Sequence, residues 1–231
     1  MLNRIAVVCA RGGSKRVPRK NLLNLLGKPL LYYTINESIE SFLFDDIIVN
    51  SDDEEILSVA NELGAKLYKR PSDYSGDNIF LIDVLKEMIF ALSLNDDNQI
   101  AVLFPTVPLR TSIDIIDSHN LFVENNCLFP VVSVAKYEYP VHVALTVNEY
   151  GRLEPLFKEH YKKTTRHDEQ VVTYRANYAI IWNTAKGFMG QEKLIGHQPI
   201  PYFMPLERSV DVDESYQVLI AELLLGAKEN L

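Results

Sequence analysis

The chain opens with Arg4-Ile-Ala-Val-Val-Cys9, and Ala10-Arg-Gly-Gly-Ser-Lys-Arg-Val-Pro-Arg-Lys20 follows without a break. The first six residues are a short β-branched run stopped by a glycine pair, the pattern of a buried strand. Gly12 and Gly13 let the backbone turn sharply and bring N–H groups close to the oxygens of an anion. Residues 11–20 hold five cations (Arg11, Lys15, Arg16, Arg19 and Lys20) and no acid. The 231-residue chain has a formal charge of -8, so the rest of it carries -13. One basic loop on an acidic body points to a small, multiply charged anion held at one place. It also argues against a nucleic-acid surface. The loop fits neither GxxxxGK[ST] nor GxGxxG.

Outward from this loop the pattern alternates. The spacing predicts a helix over Leu30–Ser41 after Pro29 and a strand over Asp46–Asn50. A helix from Glu54 to Leu63 follows, opened by Asp52/Asp53 and stopped at Gly64, and then a strand over Ala65–Tyr68. A helix over Asn78–Leu92, a strand over Gln99–Phe104, a helix over Ile113–Glu124 and a strand over Leu128–Val134 continue it. Such alternation predicts an α/β fold: a mostly parallel, doubly wound, Rossmann-like sheet with helices on both faces. Ligands then sit beyond the carboxyl ends of the strands, at the loops after Cys9, Asn50, Phe104 and Val134.

After about residue 135 the alternation breaks. Residues 136–172 are aromatic, charged and proline-punctuated, with weak strands around His142–Val147 and Arg152–Phe157, and read as an excursion from the sheet. The βα pattern is expected to resume with Asn177–Trp182 and Ile200–Met204 and to end in a helix over about Glu214–Gly226. Composition is that of a globular chain, 47% hydrophobic and 23% charged. No apolar run nears the ~20 residues of a membrane helix, and the N-terminus lacks a signal-peptide core. Cys9 and Cys127 are too few for a disulfide framework, and no His/Cys cluster has zinc spacing. A cytoplasmic protein without membrane or nucleic-acid partners is the expectation.

Asp211 and Asp213 are two apart, so on extended backbone both carboxylates face one way. That suits Mg²⁺, which takes one or two carboxylates plus phosphates and waters. Asp213 could equally cap the last helix. Asp52-Asp53 is the rival pair; it reads as a helix cap, although Asp52 also suits contact with a nucleotide.

Four ordered segments carry a family resemblance. Ala10-Arg-Gly-Gly-Ser-Lys15, continued by Val17-Pro-Arg-Lys-Asn21 and Gly27-Lys-Pro-Leu30, resembles the signature of the acylneuraminate cytidylyltransferases, the CMP-sialic (CMP-nonulosonic) acid synthetases. Pro105-Thr-Val-Pro-Leu-Arg110 resembles their Pro-Thr-Ser-Pro-Leu-Arg loop. Arg175-Ala-Asn177 resembles Arg-x-Asn-Gly-Ala-Ile, and Ser209-Val-Asp-Val-Asp213 resembles the metal motif Ser-x-Asp-x-Asp. The resemblance implies one nucleotidyltransferase domain over residues 1–231 with a dimerisation arm inserted at about 136–172. It implies transfer of CMP from CTP to the anomeric hydroxyl of an acidic nine-carbon sugar, with release of pyrophosphate.

By the same resemblance Arg11, Lys15 and Lys20 hold the phosphates, while Ala10, Gly12, Gly13 and Ser14 shape the loop. Asn21 lies by the nucleotide or the reacting hydroxyl; Asp52, by its own place after a strand, is a further nucleotide-binding candidate. Asp211 and Asp213 hold Mg²⁺. Arg11, Lys20, Asn21 and Asp211 form the catalytic set. Phe104, Arg110, Arg166, Arg175 and Asn177 are the acceptor candidates, an Arg being the natural partner of the sugar carboxylate. A homodimer is implied, with Arg166 or His167 reaching the partner's site. Two residues depart from the pattern. Phe104 replaces the usual Gln and favours apolar groups over hydroxyls, which suits a 9-deoxy acceptor of the legionaminic or pseudaminic kind. Tyr178 stands where the family usually has Gly and narrows that turn. The competing readings are a 3-deoxy-octulosonate cytidylyltransferase and a metal-dependent nucleotide-sugar glycosyltransferase. The first usually lacks the Arg-Gly-Gly-Ser-Lys loop, and the second normally carries its Asp-x-Asp in mid-domain.

Overall fold

The computed structural model describes residues 3–161 and 171–229. In chain order the elements are β1 (Arg4–Cys9), the ribbon β2 (Asn24–Leu25) and β3 (Lys28–Pro29), α1 (Leu30–Glu40), β4 (Asp46–Ser51), α2 (Glu54–Glu62) and β5 (Lys66–Lys69). They continue with α3 (Leu81–Ala91), β6 (Gln99–Leu103), α4 (Ser112–Glu124), β7 (Val131–Lys136), and the hairpin β8 (Leu145–Val147) and β9 (Leu153–Pro155). Last come α5 (Lys158–Tyr161), β10 (Tyr174–Thr184), α6 (Ala185–Met189), β11 (Ile200–Phe203) and α7 (Ser215–Glu229).

One seven-stranded sheet has the order β11-β7-β10-β6-β1-β4-β5. All neighbours in it are parallel except β10, which is antiparallel to both β6 and β7. The expected α/β architecture is present, and β1 shows why. Successive side chains of a strand point to opposite faces: Ala6 and Val8 pack into one apolar layer, Ile5 and Val7 into the other. Leu31 and Ile35 of α1, Ile56 and Ala60 of α2 and Ile115 and Phe122 of α4 fill the first layer. Ile82, Leu85 and Met88 of α3 and Phe188 of α6 fill the second. Trp182, read in sequence as core, is fully buried; its indole N–H donates to Ser118 Oγ at 3.0 Å and its ring stacks on Phe44.

Several boundaries depart from the sequence reading. The strand expected from His142 begins at Leu145, after a turn at Val141–Val143. The helix expected from Asn78 starts at Leu81, because residues before it form a turn at Ser72–Tyr74 and a loop that carries Asp77 to the basic segment. The strand expected from Leu128 starts at Val131, since Asn126 and Cys127 at positive φ finish the turn after α4. The largest correction is β10. It is eleven residues long rather than six and antiparallel rather than a resumption of the βα pattern. Tyr174 pairs with Lys136, so the chain re-enters the sheet at the end where β7 left it. A parallel return needs a long crossover helix; α5, with four residues, is the helix found in the described part of the excursion.

Candidate active site

The loops at the carboxyl ends of β1, β5 and β6 converge on a cavity of about 490 Å³, within the usual size of small-molecule sites. Arg11, Ser14, Lys15, Lys20 and Asn21 line it from the β1 loop, as expected from the sequence. The loop is built tightly. Ala10 is buried in the core and its N–H donates to Asn50 O at 3.0 Å. The Gly12 N–H donates to Asp52 Oδ1 at 3.0 Å, and a Cβ at Gly12 would stand 2.5 Å from Asp53 Oδ2. Asn21 is buried and its Nδ2 donates to Arg11 O at 2.9 Å, closing the loop upon itself. Gly13 has open space around it. Arg19 adopts the left-handed conformation at φ 55 and aims its guanidinium at Asp53 and Glu55, away from the cavity lining.

Asp53 caps α2, its Oδ1 accepting from the N–H groups of Glu55 and Ile56. Asp52, expected at the nucleotide, supports the glycine loop instead. Asp213 does not cap α7. The side chain of Gln217 accepts from the N–H groups of Asp213 and Glu214, leaving the Asp213 carboxylate to face the cavity. There it meets Lys20 Nζ at 2.7 Å and Arg16 at 3.1 Å. Burial raises the Asp213 pKa, but Lys20 and Arg16 outweigh it and hold the carboxyl below its ordinary range. Asp211 is the more deeply buried of the two, and burial, abetted by Asp213, pushes its pKa up. Its Oδ1 is buried and accepts no hydrogen bond among the described residues. A buried, unsatisfied carboxylate oxygen beside a second carboxylate suits a hard cation. Among the described residues no group of three or more His, Cys, Asp or Glu is placed for a metal, so any ion here would draw its remaining ligands from substrate and water.

The acceptor candidates separate. Phe104, at the end of β6, lines the cavity. Arg110 is interior, 1% exposed, and braces the backbone: its NH1 donates to Ala179 O at 2.6 Å and its NH2 to Thr34 Oγ1 at 2.6 Å. Burial lowers its pKa to about 10, and Glu37 and Asp114 limit the fall. Asn177 is likewise fully buried, donating to Ser209 Oγ at 2.8 Å and accepting from Ser133 Oγ at 2.6 Å. Neither lines the cavity: both are buried behind its wall, although Arg110 Nε has no partner among the described residues. Arg175 donates to Ser209 O at 3.0 Å and acts electrostatically on Asp211 rather than lining the cavity. Arg166 and His167 lie outside the described residues.

Sequence reasoning missed Arg70. It is buried at the cavity wall just beyond β5, its Nε donating to Asn50 Oδ1 at 2.8 Å. The signal was available: an arginine at the carboxyl end of a strand in a parallel sheet, where ligands gather. Asp77, which pairs with Arg11 at 3.0 Å and Lys15 at 2.6 Å, was also missed. Cys9 also lines the cavity, and burial pushes its thiol up to about 11, away from the thiolate form.

A family model described as Cytidylyltransferase matches residues 5–204. Pseudaminic acid cytidylyltransferase of Campylobacter jejuni is 28% identical over 226 residues, covering 96% of either chain. N-acylneuraminate cytidylyltransferase of Escherichia coli O18:K1:H7 is 32% identical over 227 residues, which are 98% of this chain and 52% of that one. Among solved structures, a CMP:2-keto-3-deoxy-manno-octonic acid synthetase complexed with CTP superposes with a TM-score of 0.72 at 15% identity, covering 98% of this chain and 99% of that one. At that identity the likeness speaks to fold alone. The family match ends before Asp211 and Asp213, so those two stand on the geometry of the site.

Proposed function

The chain belongs to the cytidylyltransferase family, and from that premise we propose that it transfers CMP from CTP to the anomeric hydroxyl of a nonulosonic acid, releasing pyrophosphate. The observation that carries this reading is the convergence, on one cavity, of the cationic β1 loop, Asp213 and the apolar side chain of Phe104. In this reading Arg11, Lys15 and Lys20 bind and offset the triphosphate, and Arg70, whose Nε and NH2 donate to Asn50, turns its remaining NH1 donors toward them. The acceptor hydroxyl oxygen attacks the α-phosphorus; the new O–P bond forms as the bond to pyrophosphate breaks, and the hydroxyl proton leaves to solvent. Such chemistry depends on positioning and charge neutralisation. In this reading Lys20, tied to Asp213, meets the charge that develops on the phosphates.

Asp211 and Asp213 are the residues that would hold Mg²⁺, which supplies further charge neutralisation of the phosphates when bound. The acceptor of this reading is of the 9-deoxy, di-acylamino type, because Phe104 offers no amide to a hydroxylated sugar. We also assign the chain to a homodimer formed through the β8–β9 excursion. A reaction that consumes CTP belongs in the cytoplasm, and no helix among the described residues is long and apolar enough to cross a membrane.

The experiment is pyrophosphate release with CTP, Mg²⁺ and a panel of nonulosonic acids, with 3-deoxy-octulosonate as the contrasting acceptor. Release with a nonulosonic acid supports the reading. Release with the octulosonate alone, or with no acid sugar at all, overturns it.

A further inference from the structure

Tyr178 holds a backbone conformation that its side chain disfavours, φ 58 within an irregularity of β10 between Ala176 and Ile181. Bulky residues persist there only where the surroundings over-determine them, and such positions gather at ligand sites. The surroundings here are explicit. On one side of Tyr178, the Asn177 side chain bridges Ser133 and Ser209 and accepts from the Ala179 N–H at 3.2 Å. On the other, Arg110 NH1 holds Ala179 O at 2.6 Å, and Ser133 Oγ accepts from the Ile180 N–H at 2.8 Å. The same NH1 reaches Phe104 O at 3.4 Å. One buried guanidinium therefore ties together the two backbone segments that carry Phe104 and Tyr178, whose rings meet with centroids 5.3 Å apart. Val102 of β6 pairs with Ile181 of β10, which places both rings at the carboxyl end of the parallel strands.

We propose that Phe104 and Tyr178 act as one aromatic wall on the acceptor side of the site, selecting nonulosonic acids that present a deoxy, methyl-bearing end over those that present a hydroxylated one. This deepens the transferase reading above and rests on it. The cavity is cationic where the β1 loop lines it and apolar where Phe104 does. Tyr178, partly exposed against the Phe104 ring rather than in the cavity lining, extends that apolar end outward, away from the phosphate end. Asn177 and Arg110 are positioning residues for the wall: neither lines the cavity, and both fix the bulge that presents Tyr178. A purely apolar wall rejects an added hydroxyl by about a hundredfold at most, so the selection is a preference rather than an exclusion.

The test compares wild-type protein with Phe104→Gln, Phe104→Leu and Tyr178→Gly. KM and kcat are measured separately for CTP and for two acceptors, N-acetylneuraminate and a 9-deoxy di-N-acetyl nonulosonic acid. Wild type should favour the deoxy sugar. Phe104→Gln and Tyr178→Gly should each lose about tenfold or more in kcat/KM for that sugar, narrow the preference, and leave the KM for CTP within about twofold. Phe104→Leu, which keeps apolar volume, should retain the preference. Tyr178→Gly removes the strained residue and should melt no lower than wild type, so its acceptor defect could not be blamed on unfolding. An unchanged preference in active Phe104→Gln and Tyr178→Gly variants sinks the wall alone, as does a KM for CTP that rises in step with that for acceptor. Wild-type protein that turns over neither sugar overturns the transferase reading, and the wall with it.

Discussion

Gly12 shows how narrowly the loop is drawn. A methyl group there would lie 2.5 Å from Asp53 Oδ2 and 2.9 Å from Asp53 Cβ, both belonging to the cap of α2. Gly12→Ala should therefore displace the loop or the cap and cost about 1–3 kcal/mol, with turnover falling alongside the melting temperature. Gly13→Ala, with nothing within 4 Å of its Cβ, should leave stability within roughly 0.5 kcal/mol. Equal melting temperatures for the two variants would contradict the close approach. Lys20 and Asp213 give the second test. Lys20→Ala removes a charge-assisted contact worth about 1.5–3 kcal/mol and should lose most turnover at saturating CTP while the chain stays folded. Asp213→Asn keeps size and removes the charge; because Gln217 rather than Asp213 serves the start of α7, stability should fall only by what the Lys20 and Arg16 pairs contributed, while kcat falls steeply. Near-normal turnover in limiting Mg²⁺ would move the cation elsewhere. At this scale the cations of the loop were legible, since charge beside a glycine pair is a local pattern. The burial of Arg110 and Asn177 was not, because exposure is a property of what packs around a residue.

At the scale of elements, α4 joins a local signal to a distant one. Thr111 and Asp114 form a capping box, each side chain accepting from the other's N–H. Asp114 also accepts a two-pronged contact from Arg208, at 3.1 and 2.8 Å, and the Tyr202 hydroxyl at 3.1 Å. Burial raises its pKa, but Arg208 and the Thr111 donors prevail and hold it below the ordinary carboxylate value. A depressed carboxylate stabilises the fold above its unfolded pKa and loses that contribution as pH falls through its folded one. Asp114→Asn should thus destabilise the protein by about 3 kcal/mol near neutrality and by much less near about pH 2. Urea unfolding at the two pH values checks this, and an equal deficit at both would refute it. The strand-helix alternation that framed these elements was readable because period and punctuation are local. The antiparallel sense of β10 was not, because direction depends on where the chain re-enters the sheet.

For the whole molecule, the excursion makes the strongest demand. β8 and β9 form a separate two-stranded sheet that leaves Val147 and Leu153, cross-strand partners, 63% and 69% exposed. Tyr139 and Tyr150 nearby are 75% and 76% exposed. A lone hairpin is marginal in water, and an aromatic-rich surface suits an interface. Wild-type protein should sediment as a dimer at micromolar concentration, and Leu153→Asp should shift it to monomer and lower turnover while the main core stays intact; a wild-type monomer of full activity would refute the assembly. The amino-acid order alone settled the strand-and-helix alternation, the cationic turn after β1 and the acidic pair near the end, because each is encoded in neighbours along the chain. Folding in three dimensions decided that Arg70 lines the cavity and Asp77 pairs with its cations, that Arg110 and Asn177 are buried behind it, and that Phe104 and Tyr178 meet. Those outcomes come from contacts between residues as far apart as 76 positions, as between Arg110 and Thr34, and no local period or propensity carries such a pairing.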